Sequence, residues 1–180
     1  MNLIQNILGY HSNEKIKILN FVNKNIPIFS DDTHWLGYGM YFWDNYNNSL
    51  YWKQEKERKN EKKIPVLIAS ANVITESILL DLTDHGHVKF IDRIWNAHLE
   101  KLPAKEKKLI SNYPLGKRID FLFKTYPSLE ERYKAIKCFG RYKNNISKFD
   151  VICNNKITNG VKTIYCVRDE NFIKNPNIIK

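Results

Sequence analysis

Apolar residues recur along the chain with two different periods, and the switches between them mark out the elements. In "NEKIKILNFVNKNI", Ile16, Leu19 and Val22 fall at helical spacing, with Ile18 and Phe21 widening the stripe. Ser12 or Asn13 is available as N-cap, Glu14 suits the first turn, and Pro27 closes the segment. "GMYFW" reads as a strand. A helix is expected through "SLYWKQEKERKNEKK", capped by Asn47 or Asn48, with a second half charged enough to be solvated. "IPVLIASANV" is apolar at both parities, as in a strand buried on two faces, and "ILLDLTDHG" is a short element ending in a turn. From about Phe90 to Phe139 the period is helical again. "FIDRIWNAHLEKL", "PAKEKKLISNY", "LGKRIDFLFKTY" and "PSLEERYKAIKCF" are separated by Pro or Gly, with Pro127 suited to a first turn ahead of Glu130 and Glu131. Strand patterns return in "FDVICN" and "TIYCVRD". Strand-rich ends around a helical middle predict a single α+β domain over 1–180, with a helical insertion at about 90–140.

Composition sharpens this picture in two places. Hydrophobic residues make up 43% of the 180, enough for a packed core, and no apolar run approaches a membrane span. The formal charge of +10 is concentrated: residues 101–148 carry 13 Lys and Arg against 4 Asp and Glu, whereas residues 1–100 carry 11 against 12. A localised basic block suits a polyanionic partner, usually nucleic acid, although a Lys- and Asn-rich chain also reaches such a balance by drift on a solvated face. Cys138, Cys153 and Cys166 are odd in number and widely spaced. They predict free, buried thiols in a reducing cytoplasm, with neither a disulfide framework nor a zinc site. "MNLIQNILGYHSNEK" has no basic n-region or cleavage pattern, so no secretory signal is expected. Asp84, His85 and His87 are expected to form a turn rather than a metal site.

The densest chemistry lies in "WLGYGMYFWDNYNNSLYW", residues 35–52, where Gly37 and Gly39 interrupt an aromatic strand. Glycine in a strand marks a close approach of backbone or ligand. Gly37, Gly39, Tyr41, Phe42, Asp44, Ser49 and Trp52 stand in register with the central signature of the diphtheria-toxin-like, or PARP-like, ADP-ribosyltransferases, which this segment resembles. "YHSN", with Tyr10, His11, Ser12 and Asn13, resembles that family's His-containing first motif, and "TIYCVRD" its third. The resemblance covers roughly 35 residues. It implies a split antiparallel β-sheet core, NAD as co-substrate and no metal. By the same resemblance Tyr41 and Trp52 sandwich the nicotinamide, Ser49 and the backbone beside Ser12 hold its carboxamide, and His11 bonds a ribose hydroxyl. Gly37 and Gly39 then let the backbone pass close to the ligand.

Polymer-forming members of that family carry Glu in the third motif, where this chain has Ile164. Transfer of a single ADP-ribose is the activity so implied, with Asp44, Asp150 or Asp169 as candidates for the missing carboxylate. The expected acceptor is a macromolecule, either protein or RNA or DNA. For a nucleic acid, phosphates would meet Lys105, Lys107, Lys108, Lys117, Arg118, Arg141 and Lys143. Compact members of the superfamily are often toxins of toxin–antitoxin or phage-defence systems, which adds an antitoxin protein as an expected partner. Two rival expectations are an NAD glycohydrolase and an inactive nucleic-acid- or protein-binding module on the same fold.

Overall fold

The computed structural model describes residues 6–59, 64–141 and 161–179. Its architecture is α+β, built on a mostly antiparallel sheet. The chain enters through β1 (Asn6–Glu14) and passes without a loop into α1 (Lys15–Lys24). The short β2 (Ser30–Asp32) and β3 (Gly37–Trp43) follow, then α2 (Tyr46–Lys59), β4 (Val66–Ile74) and β5 (Leu79–Asp81). Four helices come next: α3 (His85–Glu100), α4 (Ala104–Ser111), α5 (Leu115–Thr125) and α6 (Pro127–Arg132). Strands β6 (Ala135–Arg141), β7 (Val161–Val167) and β8 (Ile173–Ile179) complete the sheet. Its order is β5-β6-β7-β3-β1-β4-β8, with β2 paired to β3 and, among the described residues, only β5–β6 parallel.

Two half-sheets are visible in this order. β1 pairs with β4 over nine consecutive residues, from Asn6 opposite Ile74 to Glu14 opposite Val66. On the other side, β3 pairs with β7 from Met40–Val167 to Trp43–Ile164. Between the halves, β1 and β3 share one register pair, Tyr10 opposite Trp43.

Alternation along the central strands supplies a core on each face. Met40, Phe42, Ala69, Ala71, Val73 and Val167 pack beneath Ile18 and Phe21 of α1. Trp43, Ile136, Ile164 and Cys166 face Trp95 of α3, Ile119, Leu122 and Phe123 of α5, and Leu129 of α6.

Several local readings are corrected. The buried face of α1 is Ile18 and Phe21, while Ile16 is 67% exposed, because the apolar stripe is wide enough for two phases and β4 takes the inner one. Ser12 and Asn13 belong to β1, and α1 ends at Lys24, with Asn25 capping it in the left-handed region two residues before Pro27. Asn45, not Asn47 or Asn48, caps α2: its side-chain oxygen accepts from the Asn48 N–H at 2.9 Å. Helix α3 begins at His85, capped by Asp84, whose carboxylate accepts from the His87 N–H at 2.9 Å. The helical run ends at Arg132. "AIKCF" is strand β6, since pairing with both β5 and β7 outweighs its helical pattern. The "FDVICN" segment lies outside the described residues.

Helix α5 is held against β2 and β3 closely enough to require a residue without a side chain. A Cβ on Gly116 would fall on the Asp32 carbonyl oxygen and close to the Gly37 and Thr33 backbones. Asp120, one turn further on, accepts from the Tyr38 N–H at 2.9 Å and from Arg168 at 2.8 Å. In an isolated helix Gly116→Ala would gain about 1 kcal/mol. Here backbone, not a flexible side chain, blocks the methyl, and overpacking costs about 1–3 kcal/mol. Urea denaturation is therefore expected to find the alanine variant less stable than the wild type.

Candidate active site

Beyond the Tyr10–Trp43 rung the two half-sheets part, and a side chain takes over from the ladder. The His11 imidazole reaches across the gap, Nδ1 lying 2.6 Å from the Tyr41 carbonyl oxygen. A carbonyl can only accept, so Nδ1 carries the proton and Nε2 is left as an acceptor. The Asn13 amide approaches Nε2 at 3.2 Å, its orientation set by its own oxygen accepting from the Glu14 N–H at 2.9 Å. Burial lowers the His11 pKa to about 4, so the ring is neutral near pH 7.

A cavity of about 180 Å3 occupies the opening, lined by His11, Ser12 and Asn13 from β1 and by Tyr41 and Trp43 from β3. Trp35 and Asp32 from the β2–β3 corner and Trp52 and Lys56 from α2 complete its main walls, with Ile28 and Ser30 at the edge. A groove of about 290 Å3 continues past the shared Asn13, Trp52 and Lys56 to Glu55 and Lys59. Trp43 and Trp52 stack at 5.5 Å and 14°, and Trp35 meets both edge-on at 6.4 and 6.2 Å. Flat, rigid and mostly apolar, this wall suits a planar ring.

Polar groups at the rim are anchored. The Tyr41 hydroxyl donates to the Gly37 carbonyl at 2.7 Å and accepts from the Leu36 N–H at 3.1 Å, while burial pushes its pKa well above the ordinary phenol value. Asp32 Oδ1 accepts from the His34 and Trp35 N–H groups at 2.9 and 3.1 Å, which leaves Oδ2 for a ligand. Lys56 has its pKa lowered by burial and then by Lys17, with Glu14 opposing. Its charge suits the phosphates of a ligand that extends out of the cavity.

The structure brings together some of the expected residues and not others. His11, Ser12, Asn13, Tyr41 and Trp52 share the cavity. Ser49 lies just behind it, fully buried, where its hydroxyl is 2.6 Å from that of Ser12. Phe42 and Ile164 are fully buried core residues on opposite faces of the sheet. Tyr10 packs edge-on against Tyr46 at 6.1 Å. The two strand glycines answer to packing: Gly37 has φ +80° and faces the Asp120 carboxylate, and Gly39 faces Cys166. Rather than sandwiching a ring with Tyr41 alone, Trp52 already gives one face to Trp43.

Asp44 accepts from the Asn45 and Asn48 side-chain amides at the start of α2, Asp169 caps the 3-10 turn Glu170–Phe172, and neither residue lines the cavity. Asp150, Lys143 and the Arg141 side chain lie outside the described residues. Lys105, Lys107, Lys108 and Lys117 are exposed. Arg118 is half-buried, and its guanidinium donates to the Tyr113 and Ser111 carbonyls at 2.6 and 2.9 Å. Trp35, Trp43, Asp32 and Lys56 are the residues that sequence reasoning missed. The first two stood inside the quoted aromatic run, where spacing alone did not tell pocket from core.

Cys138 and Cys166 are free thiols whose pKa values burial pushes up to about 11 and about 12. Among the described residues there is no group of three or more His, Cys, Asp or Glu placed to hold a metal ion, and no helix long and apolar enough to cross a membrane.

Comparison with known proteins gives one curated relative at significant similarity, a protein of Methanocaldococcus jannaschii described as uncharacterized. It is 27% identical over 175 residues, covering 88% of this chain and 77% of that one. No protein family matches the chain, and no solved structure matches it.

The neutral, buried His11 sets a pH dependence. Below its ordinary value of 6.5 the unfolded chain binds a proton that the folded protein refuses until about 4. Stability from this group is therefore fully present above pH 6.5 and is lost as pH falls towards 4, by about 3 kcal/mol at the lower end. Urea midpoints measured across that window should fall for the wild type and fall less for His11→Gln. Equal slopes would assign the effect to another group.

Proposed function

We propose that the protein is an NAD-dependent mono-ADP-ribosyltransferase of the diphtheria-toxin-like kind, with the split sheet of that fold. The observation that carries this reading is the meeting of His11, Ser12, Tyr41 and Trp52, from two strands and a helix, on one aromatic cavity where the sheet parts. A nicotinamide ring lies against the tryptophan wall, and the dinucleotide runs out along the groove past Lys56. Neutral His11 offers Nε2 to a ribose hydroxyl in exchange for the Asn13 amide.

Transfer breaks the bond between ribose C1′ and the nicotinamide nitrogen. The electron pair leaves with nicotinamide, the cationic sugar is taken by the acceptor's nucleophile, and the acceptor's proton needs a base. Asp32, the carboxylate on the cavity wall, supports that role better than the candidates chosen from sequence. Ile164, buried in the third-motif position, supports one transfer rather than chain growth. The acceptor is a macromolecule, nucleic acid or protein. A toxin acting in the cytoplasm and held in check by an antitoxin belongs to the same reading. The exposed lysines of α4 and Lys117 favour an anionic acceptor, since α5 rests on the β2–β3 corner through the Lys117 N–H to Thr33 carbonyl bond at 2.9 Å.

NAD labelled on its adenylate, offered with total RNA, single-stranded DNA or lysate protein, tests the reading. Label is expected on one acceptor class. Trp52→Ala should lower the rate by roughly tenfold or more through lost ring binding. Asp32→Asn, which keeps the Oδ1 acceptor, should lower turnover roughly 10²–10⁴-fold at unchanged affinity for NAD. Free ADP-ribose in place of bound label would make the acceptor water. Neither label transfer nor nicotinamide release would sink the assignment.

A further inference from the structure

Lys162, near the start of β7, is only 5% exposed, and its ammonium group sits among aromatic rings. The nitrogen lies 5.1 Å from the Trp43 ring centre, 5.3 Å from Trp52, 5.5 Å from Trp35 and 5.8 Å from Tyr51. Attraction between a cation and ring faces is strongest for tryptophan and grows when water is excluded. Burial also lowers the Lys162 pKa, the mark of a charge held away from solvent. Three of these four rings form the cavity wall, yet Lys162 does not line the cavity. The charge therefore stands behind the wall. Its field passes through rings whose electron-rich faces would otherwise favour a cation in the cavity.

We infer that Lys162 is a specificity-determining residue that makes the tryptophan-walled cavity prefer an uncharged aromatic ring over a cationic one. This rests on the reading of that cavity as a ring pocket, and it adds an electrostatic device to it. In ADP-ribosyl transfer the ring enters as a pyridinium and leaves as neutral nicotinamide, its positive charge passing to the ribose as the C1′–N bond breaks. A fixed cation behind the ring raises the energy of the bound pyridinium more than that of a transition state whose charge has moved to the sugar. Lys162 acts through the rings and makes no contact with the reacting atoms, so it is a positioning residue.

Two probes of nearly equal shape, nicotinamide and 1-methylnicotinamide, isolate the charge. Saturable quenching of tryptophan fluorescence in the full chain reads both affinities. Nicotinamide is expected to bind about tenfold more tightly than the cation, the scale of a screened interaction between two charges several ångströms apart. Lys162→Met should reduce that ratio about tenfold, and Lys162→Arg should restore it. A purely structural lysine would weaken both probes alike and leave the ratio unmoved, which would overturn the inference. Equal or tighter binding of 1-methylnicotinamide by the wild type would overturn it too, even if the methionine variant fails to fold. In either case a ring pocket still exists and the transferase reading stands. If neither probe quenches saturably, the ring pocket falls and this inference falls with it.

Discussion

One hydrogen bond, from the His11 imidazole to the Tyr41 carbonyl, closes the place where the sheet would otherwise come apart. β1 is fully paired to β4 on one side, while its other edge meets β3 at a single rung. A second rung would bring the strands together and erase the cavity. No link at all would leave the part-buried Tyr41 carbonyl without its side-chain partner. A side chain longer than a backbone amide satisfies the carbonyl and keeps the strands apart. The same bond fixes the tautomer, so it also decides which nitrogen faces the opening.

The walls on either side of the gap are held by different means. On the β3 side, α5 locks the strand through Asp120, Arg168 and the side-chain-free contact at Gly116. Arg168 further lies 4.5 Å over the Phe123 ring, so its charge is bound into the core under α5. On the β1 side, α2 lies along the strand through the paired hydroxyls of Ser12 and Ser49. The tryptophans come from both sides, Trp35 and Trp43 with β3 and Trp52 with α2. Stacking between Trp43 and Trp52 thus joins the two supports behind the opening.

Much of the α+β arrangement was legible in the chain because its periods are clean. The strand at "GMYFW", the doubly buried "VLIASANVI" and the helices α4 and α5 follow directly from spacing. "AIKCF" was misread as helix because its apolar positions fit either period and only its partners β5 and β7 decide between them. The site was half legible. His11, Tyr41 and Trp52 stood out by resemblance, whereas Asp32 lies on a three-residue strand with no pattern of its own and enters the cavity through the β2–β3 corner. Phe42 and the two glycines carry the same signature yet serve packing, as does Ile164 in the third-motif segment, since a motif fixes order along the chain and not which face each side chain takes.

The single rung between β1 and β3 also has a mechanical meaning. Each half-sheet is internally well bonded, whereas a single register pair, Tyr10 opposite Trp43, joins β1 to β3. His11, Asn13 and Lys56 ride on one arm and Asp32, Trp35 and Tyr41 on the other. The molecule is in effect a calliper whose jaws are the two half-sheets, their gap spanned by the His11–Tyr41 bond and the Trp43–Trp52 stack.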